Sequence, residues 1–193
     1  MVDERTLAAF QQVGRDVTAL GLAAPGTGNA SIWTPEALLI TREGARLDRL
    51  TDADISVVGR STAPPAANPA QDILIHRAIY ISAGGSTVLH VHPPHAVALS
   101  FSGSEYVPDD MRSRHRLDRV PVVSAIRNIV DAVARAIGDS PVVLVSGDGS
   151  YVRGGDLDEC LVLTAALEAA ARISWLRRTL PSHNGVPLTP PTV

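Results

Sequence analysis

Apolar residues recur at helical spacing near the N-terminus and then fall into short runs separated by turn residues. Within residues 3–20, one helical face carries only apolar side chains, namely Leu7, Phe10, Val13, Val17 and Leu20. This spacing predicts an amphipathic helix. Short apolar runs predict strands at residues 30–33, 37–41, 86–92, 120–124, 141–146 and 150–154, and longer segments predict helices at 68–82, 94–100, 126–137 and 157–180. Strands and helices therefore alternate along the chain, and signals for hairpins also occur. Together they indicate a mixed sheet covered by helices.

The chain length and composition are typical of one folded domain. Of 193 residues, 45% are hydrophobic and 19% are charged. We expect a single domain over residues 1–180, a polar loop over residues 102–119, and a loosely ordered Pro-rich tail over residues 181–193. Because no apolar run reaches membrane-spanning length and the first residues are charged, we expect a cytoplasmic protein without a membrane partner. A net charge of -3 gives no indication of nucleic-acid binding.

Two features of residue usage exclude several kinds of chemistry. Cys160 is the only cysteine, so the chain forms no internal disulfide and no cysteine-based zinc site. All 17 basic residues are arginine, since lysine does not occur in the sequence. Schiff-base catalysis and the usual attachment of pyridoxal phosphate are therefore excluded, and carbonyl chemistry would need another electron sink, for which a metal is the obvious choice.

Two histidines stand one residue apart in the segment STVLHVHPPH. Side chains alternate between the two faces of a strand, so His90 and His92 would project from the same side and could bind one ion. Two polar residues on an ordinary strand would give the same pattern. A metal site also needs at least a third ligand from elsewhere.

Two further groups of residues are candidates for chemistry near these histidines. Asp72 precedes His76 by four residues on the predicted helix, which places both on one face and makes Asp72 a candidate general base. The alternative is a solvated carboxylate that complements the helix dipole. The loop at residues 26–29, GTGN, could present backbone N–H groups to an anion, or it could be only a turn.

The order of these segments resembles the class II aldolase/adducin family. The matching blocks are GTGNASIW, ALLITREGARLDRLTDADI, HRAIY, STVLHVHPPHAVALS and VLVSGDGSYVRGGDLDECLVLTAALEAAARI, which together extend from about residue 7 to residue 180. The resemblance implies an α/β fold with three α/β/α layers around a central, mainly antiparallel sheet. It also implies a homotetramer, with residues 102–119 and the tail closing over a neighbouring subunit's site.

The resemblance also implies roles for particular residues. His90 and His92 match metal ligands of the family, and Asp72 matches its acidic residue. The bound divalent metal would be zinc, with manganese or iron as alternatives. The loops that hold the phosphate end of a small-molecule substrate are matched by Thr27, Gly28, Asn29, Thr41 and Gly44.

The chain departs from the family pattern at three places. Where the family has a third metal histidine, this sequence has Asp148, which either completes a two-histidine, one-carboxylate site or is only a turn residue in a decayed one. His115 is another possible ligand. Ala70 and Gln71 replace two phosphate-binding serines, which argues against a standard sugar phosphate and leaves an unphosphorylated substrate or an anion held by arginine. Ser124 and Ala125 stand where some aldolases have a tyrosine.

These residues favour a metal-dependent lyase of aldolase type, or an epimerase, in carbohydrate metabolism. Its substrate would be a small hydroxy-carbonyl compound that reacts through a metal-stabilised enediolate. One alternative is a non-catalytic, adducin-like assembly domain, which the three departures would suit. The other is a diverged decarboxylase or iron-dependent oxygenase of a biosynthetic pathway.

Overall fold

The computed structural model describes residues 2–59, 72–124 and 128–180, and within them eight strands form a single sheet. In spatial order the strands run β3-β2-β1-β4-β8-β7-β6-β5, and every neighbouring pair is antiparallel except the parallel pair β6–β7. The strands are β1 (Asn29–Trp33), β2 (Leu38–Thr41), β3 (Ile55–Val58), β4 (Thr87–Val91), β5 (Glu105–Tyr106), β6 (Val120–Val123), β7 (Val142–Val145) and β8 (Ser150–Gly154).

Helices cover both faces of the sheet. Those found in the described residues are α1 (Glu4–Ala19), α2 (Ile73–Ala83), α3 (Pro94–Leu99), α4 (Met111–Arg114), α5 (Ile129–Asp139) and α6 (Leu157–Thr179). One apolar core contains side chains from α1, α3 and α6, and a second contains side chains from α2 and α5. The predicted three-layer α/β/α class with a mainly antiparallel sheet is therefore confirmed. None of these helices combines the length and apolarity that a bilayer crossing requires.

Hydrophobic periodicity places most of these elements correctly. The face of α1 that was expected to be apolar buries Phe10, Val13 and Val17, and the Asp3 carboxylate caps the helix by accepting from the Thr6 amide at 3.0 Å. Strands β4, β7 and β8 lie in the middle of the sheet and are almost entirely buried. This burial explains why β7 and most of β4 consist of consecutive apolar residues rather than of alternating apolar and polar ones.

The prediction of a polar loop over residues 102–119 is wrong in part. This segment contains β5 and α4, and it buries Tyr106 and Leu117 in the first core. The Tyr106 hydroxyl lies 3.0 Å from Ser174 Oγ on α6, so a tyrosine with a polar partner anchors a segment whose sequence is otherwise polar.

Several predictions fall outside the described residues. These are the helix start at Asn68, the replaced positions Ala70, Gln71 and Ala125, and the tail over residues 181–193. Within the described part, the second helix begins at Ile73, with Asp72 as its N-cap residue.

The single cysteine lies beneath the centre of the sheet. Cys160, on α6, is fully buried, and its Sγ lies 3.3 Å from Thr87 Oγ1 on β4. Burial raises the pKa of the thiol to about 12, so the thiolate is scarcely formed at neutral pH.

Candidate active site

A cavity of about 220 Å³ opens where β1, β4 and the β7–β8 hairpin come together. Strand register creates this site, because Asn29 on β1 pairs with His90 on β4, and His90 pairs with Tyr151 on β8. The residues that line the cavity are Gly26, Thr27, Gly28, Asn29, Arg42, Glu43, Gly44, Asp72, His90, His92 and Asp148.

His90 is buried and firmly oriented. Its ring stacks on the cross-strand Tyr151 ring, with centroids 4.1 Å apart and planes 15° apart. Its Nδ1 lies 3.0 Å from the Ser150 carbonyl oxygen. Because a carbonyl oxygen can only accept, Nδ1 carries a hydrogen, and Nε2 is the ring nitrogen that faces Asp72 and Asp148 and could bind a metal.

His92 lies one residue beyond the end of β4. Its backbone amide donates to the Leu22 carbonyl at 3.0 Å, and its ring meets the His90 ring edge to face, with centroids 4.8 Å apart. The two imidazoles are therefore adjacent, although the strand ends between them. The pKa of His92 is lowered, chiefly by burial and also by the neighbouring His90, so the neutral ring is favoured.

Asp148 projects from the turn between β7 and β8 towards both histidines. Its Oδ2 lies 3.9 Å from His90 Nε2, and its Oδ1 lies 3.9 Å from His92 Nε2. Gly149 permits this approach, since a Cβ at that position would lie 2.5 Å from the Val91 carbonyl oxygen and 3.0 Å from each histidine ring.

Asp72 reaches the same cavity from the N-terminus of α2. Its Oδ2 accepts from Asn29 Nδ2 at 2.7 Å and lies 3.7 Å from His90 Nε2. Burial opposes ionisation of Asp72, but the interaction with His90 and the Asn29 hydrogen bond outweigh it, and its pKa is lowered. An ionised carboxylate at this position can accept a proton.

The donor atoms fit a divalent cation. Potential ligand atoms of His90, His92 and Asp148 all lie within 4.8 Å of one another. Two imidazole nitrogens and one carboxylate form a set that suits zinc, manganese or iron and leaves coordination positions for a substrate. His115, the other possible ligand, follows α4 and is not part of this cluster.

Behind Asp72, a buried polar chain stabilises the wall of the cavity. His76 Nδ1 lies 2.7 Å from Ser31 Oγ, which in turn lies 2.7 Å from the Tyr80 hydroxyl. Burial lowers the pKa of His76 to about 3, despite the opposing effect of Asp72, so this ring is neutral. Its Nε2 is buried and has no hydrogen-bond partner in the described residues.

Of the residues predicted to bind a substrate's phosphate end, some line the cavity and Thr41 does not. Gly28 has a φ of 76°, and a Cβ there would lie 2.8 Å from the His90 carbonyl oxygen, so only glycine suits this contact. Thr27 lines the cavity, but its hydroxyl donates to the Ala24 carbonyl at 2.9 Å. Thr41 is fully buried outside the cavity, and its hydroxyl accepts from the Ala30 amide at 3.2 Å.

Sequence reasoning did not select Arg42, Glu43 or Tyr151, although the first two line the cavity and the third stacks on His90. The signal for Arg42 was its place between Thr41 and Gly44, in the turn after β2. Tyr151 could have been found only from the register of β4 and β8, which the sequence does not specify.

Comparisons with known proteins agree with this architecture. Residues 8–175 match the model of the class II aldolase and adducin N-terminal domain. The crystal structure of L-fuculose-1-phosphate aldolase from Thermus thermophilus superposes with a TM-score of 0.87 at 32% identity, and the match covers 94% of this chain and all of that one.

Two relatives with assigned activities are more distant. A probable bifunctional methylthioribose-1-phosphate isomerase/methylthioribulose-1-phosphate dehydratase from Nocardia farcinica is 24% identical over 94% of this chain, which spans only 37% of that protein's length. A 3,4-dihydroxyphthalate decarboxylase from a Terrabacter species is 27% identical over 83% of this chain and 76% of its own. Because the family model covers most of the sequence, the chain belongs to the class II aldolase and adducin N-terminal domain family.

Proposed function

We propose that the chain is a divalent-metal-dependent enzyme, a lyase of aldolase type or an epimerase, which acts on a small hydroxy-carbonyl, sugar-like substrate. The observation that carries this proposal is the convergence of His90, His92 and Asp148 in one cavity, with Asp72 only 3.7 Å from His90 Nε2. Family membership and the similarity to an aldolase and a dehydratase support enzymatic activity of this kind.

In this proposal each side chain has a defined task. His90, His92 and Asp148 hold the cation, and Ser150 fixes the His90 tautomer through its carbonyl oxygen. A bound divalent cation supplies Lewis-acid polarisation of a substrate oxygen, with zinc preferred over manganese and iron. Asp72, oriented by Asn29, accepts or returns the proton at the reacting carbon. The loops containing Gly28, Asn29 and Gly44 form the wall against which the rest of the substrate lies.

Metal content provides the first test. We would purify the protein without an affinity tag or chelator and measure zinc, manganese and iron per chain by elemental analysis. We expect nearly one ion per chain in the wild type and a loss of at least tenfold in affinity in His92→Ala and Asp148→Asn. His115→Ala is the matched control, because it removes an exposed imidazole outside the cluster. Full metal retention in His92→Ala would refute the assignment. A wild type that binds no ion would favour a non-catalytic assembly domain.

A decarboxylase is the second candidate, favoured by the similarity to 3,4-dihydroxyphthalate decarboxylase. Decarboxylation also requires stabilisation of negative charge next to a polarised oxygen, so the same ligands would serve it. Release of carbon dioxide from a hydroxylated aromatic acid, with no cleavage of hydroxy-carbonyl compounds, would select this reaction.

We also propose that the enzyme is a cytoplasmic homotetramer. Large apolar side chains on the surface of a single chain support assembly, since Phe101 is 71% exposed, Met111 is 78% exposed and Trp175 is 47% exposed. The sheet and helices of one subunit leave these groups in water, and contacts between subunits would cover them.

A further inference from the structure

Asp148 is the proposed ligand whose side chain is held least by its surroundings. The His90 ring is fixed by stacking on Tyr151 and by the Ser150 carbonyl oxygen. The Asp148 carboxylate, in contrast, makes no hydrogen bond to any described residue, and its oxygens lie 3.9 Å from Nε2 of His90 and of His92. The position of this carboxylate therefore depends on the backbone of the β7–β8 turn.

Ser100 anchors that turn to the end of α3. Its hydroxyl donates to the Val97 carbonyl at 2.6 Å and accepts from the Gly147 amide at 2.9 Å. Its own carbonyl accepts from Ser146 Oγ at 3.1 Å. Two hydrogen bonds thus join Ser100 to the two residues that immediately precede Asp148. Ser100 is only 1% exposed, so its hydroxyl bonds to these backbone groups rather than to water.

The same short helix begins beside another proposed ligand. The first residue of α3 follows His92 by two positions. Glu168 on α6 fixes this end of the helix, because its carboxylate accepts from the amides of His95 and Ala96 at 3.0 and 3.1 Å. Helix α3 therefore connects His92, at its N-terminus, with the turn that carries Asp148, at its C-terminus.

We propose that Ser100 is a positioning residue for Asp148, which holds the β7–β8 turn so that the carboxylate faces both histidines. This proposal rests on the proposed metal-dependent function. Ser100 does not line the cavity, so it would act on a bound cation only through Asp148. Without the Ser100 hydroxyl the turn is free to move away from α3, and a smaller fraction of the molecules presents all three ligands to one ion.

A double-mutant cycle on zinc affinity tests this role. Ser100→Ala and Asp148→Ala, alone and combined, would be compared by competition titration with a zinc chelator. We expect Ser100→Ala to weaken zinc binding about 10- to 100-fold, the range typical of groups that orient a metal ligand. In the Asp148→Ala background the same substitution should change zinc affinity by no more than about twofold, because the group through which Ser100 acts is then absent.

Cobalt(II) provides a readout that a simple loss of stability does not move. Its visible absorption depends on the ligands and on their geometry. At saturating cobalt, the bands of Ser100→Ala should shift from those of the wild type towards those of Asp148→Ala. Ser146→Ala removes the other bond of the anchor at a less buried position, and it should shift zinc affinity and cobalt absorption in the same direction. This variant tests the proposal even if Ser100→Ala does not fold.

Ser140→Ala is the matched control. Ser140 is also buried and also follows a helix, α5, and its hydroxyl donates to the Val142 carbonyl at 2.9 Å, at the opposite end of β7. The control should lower Tm but keep the zinc affinity and cobalt absorption of the wild type.

Three results would overturn the role of Ser100 while leaving a metal site in place. These are wild-type zinc affinity in Ser100→Ala, losses that simply add in the double variant, and an equal loss of zinc affinity in Ser140→Ala. Full zinc affinity in Asp148→Ala would also overturn it, because Asp148 would then not be a ligand. If the wild type binds neither zinc nor cobalt, the proposed function itself fails and this inference fails with it.

Discussion

Replacing Gly149 with alanine would place a methyl group against the strand that carries His90. The added Cβ would lie 2.5 Å from the Val91 carbonyl oxygen and 3.0 Å from His90 Cε1 and His92 Cδ2, whereas ordinary van der Waals contacts begin near 3.4 Å. The carbonyl belongs to a central strand and cannot rotate away, so β4 and the β7–β8 turn must separate by several tenths of an ångström.

Two effects of different size are expected. Overpacking of this kind costs about 1–3 kcal/mol of folding free energy, which for a domain of this length lowers Tm by roughly 2–12 °C. Displacement of the histidines and of Asp148 should weaken zinc binding by about 10- to 100-fold, comparable with the loss of an outer-sphere contact. Thermal unfolding of the metal-free protein measures the first effect, and a competition titration with a zinc chelator measures the second.

Gly138→Ala is the control for this substitution. The position lies near the end of α5, and an added Cβ has no neighbour within 4 Å, so the variant should keep its zinc affinity and gain up to about 1 kcal/mol of stability. An unchanged Tm in Gly149→Ala would refute the steric argument. A lowered Tm with unchanged zinc affinity would refute the proposed ligands, because the clash would then displace the His90 and His92 rings without weakening zinc binding.

Two further outcomes follow from the buried histidine and from the exposed apolar surface. The pKa of His76 falls from 6.5 to about 3 on folding, so between these pH values the unfolded chain binds one proton more than the folded chain. The contribution of His76 to the free energy of unfolding is therefore fully present above pH 6.5. It is lost as the pH falls towards 3, by about 1.4 kcal/mol per pH unit. Urea unfolding of chelator-treated protein should show that the free energy of unfolding depends less steeply on pH in His76→Gln than in the wild type. The same pH dependence in both proteins would contradict the lowered pKa of His76. Analytical ultracentrifugation should give about four times the chain mass of 20.3 kDa, and a single-chain mass would exclude the tetramer.

The fold could be predicted because burial leaves a clear pattern in the sequence. Runs of apolar residues identified β4 and β7, and the spacing of Phe10, Val13 and Val17 identified the first helix. The segment over residues 102–119 was misread because it contributes only two side chains to the apolar core, Tyr106 and Leu117, and two are too few to form a periodic pattern.

The sequence predicted those site residues that belong to a recognisable motif and that also lie close together in the fold. His90, His92, Asp148 and Asp72 lie together in the structure, although their roles stay predictions. Arg42 was not selected because its place in the cavity depends on how the turn after β2 folds against the GTGN loop. Thr41 was selected from a resemblance, and its side-chain direction, into the protein and away from the cavity, depends on the pleat of β2.

Because Cys160 is buried between α6 and the sheet, alkylation of this single thiol reports when the helix and the sheet separate. Its sulfur is covered by α6 on one side and by β4 and β8, the strands that carry His90 and Tyr151, on the other. An alkylating reagent can reach it only when the helix leaves the sheet, and the raised pKa makes accidental reaction slow. The rate of thiol modification therefore measures how often α6 separates from the strands that support the proposed metal ligands. This measurement of local unfolding needs no engineered label and no knowledge of the substrate.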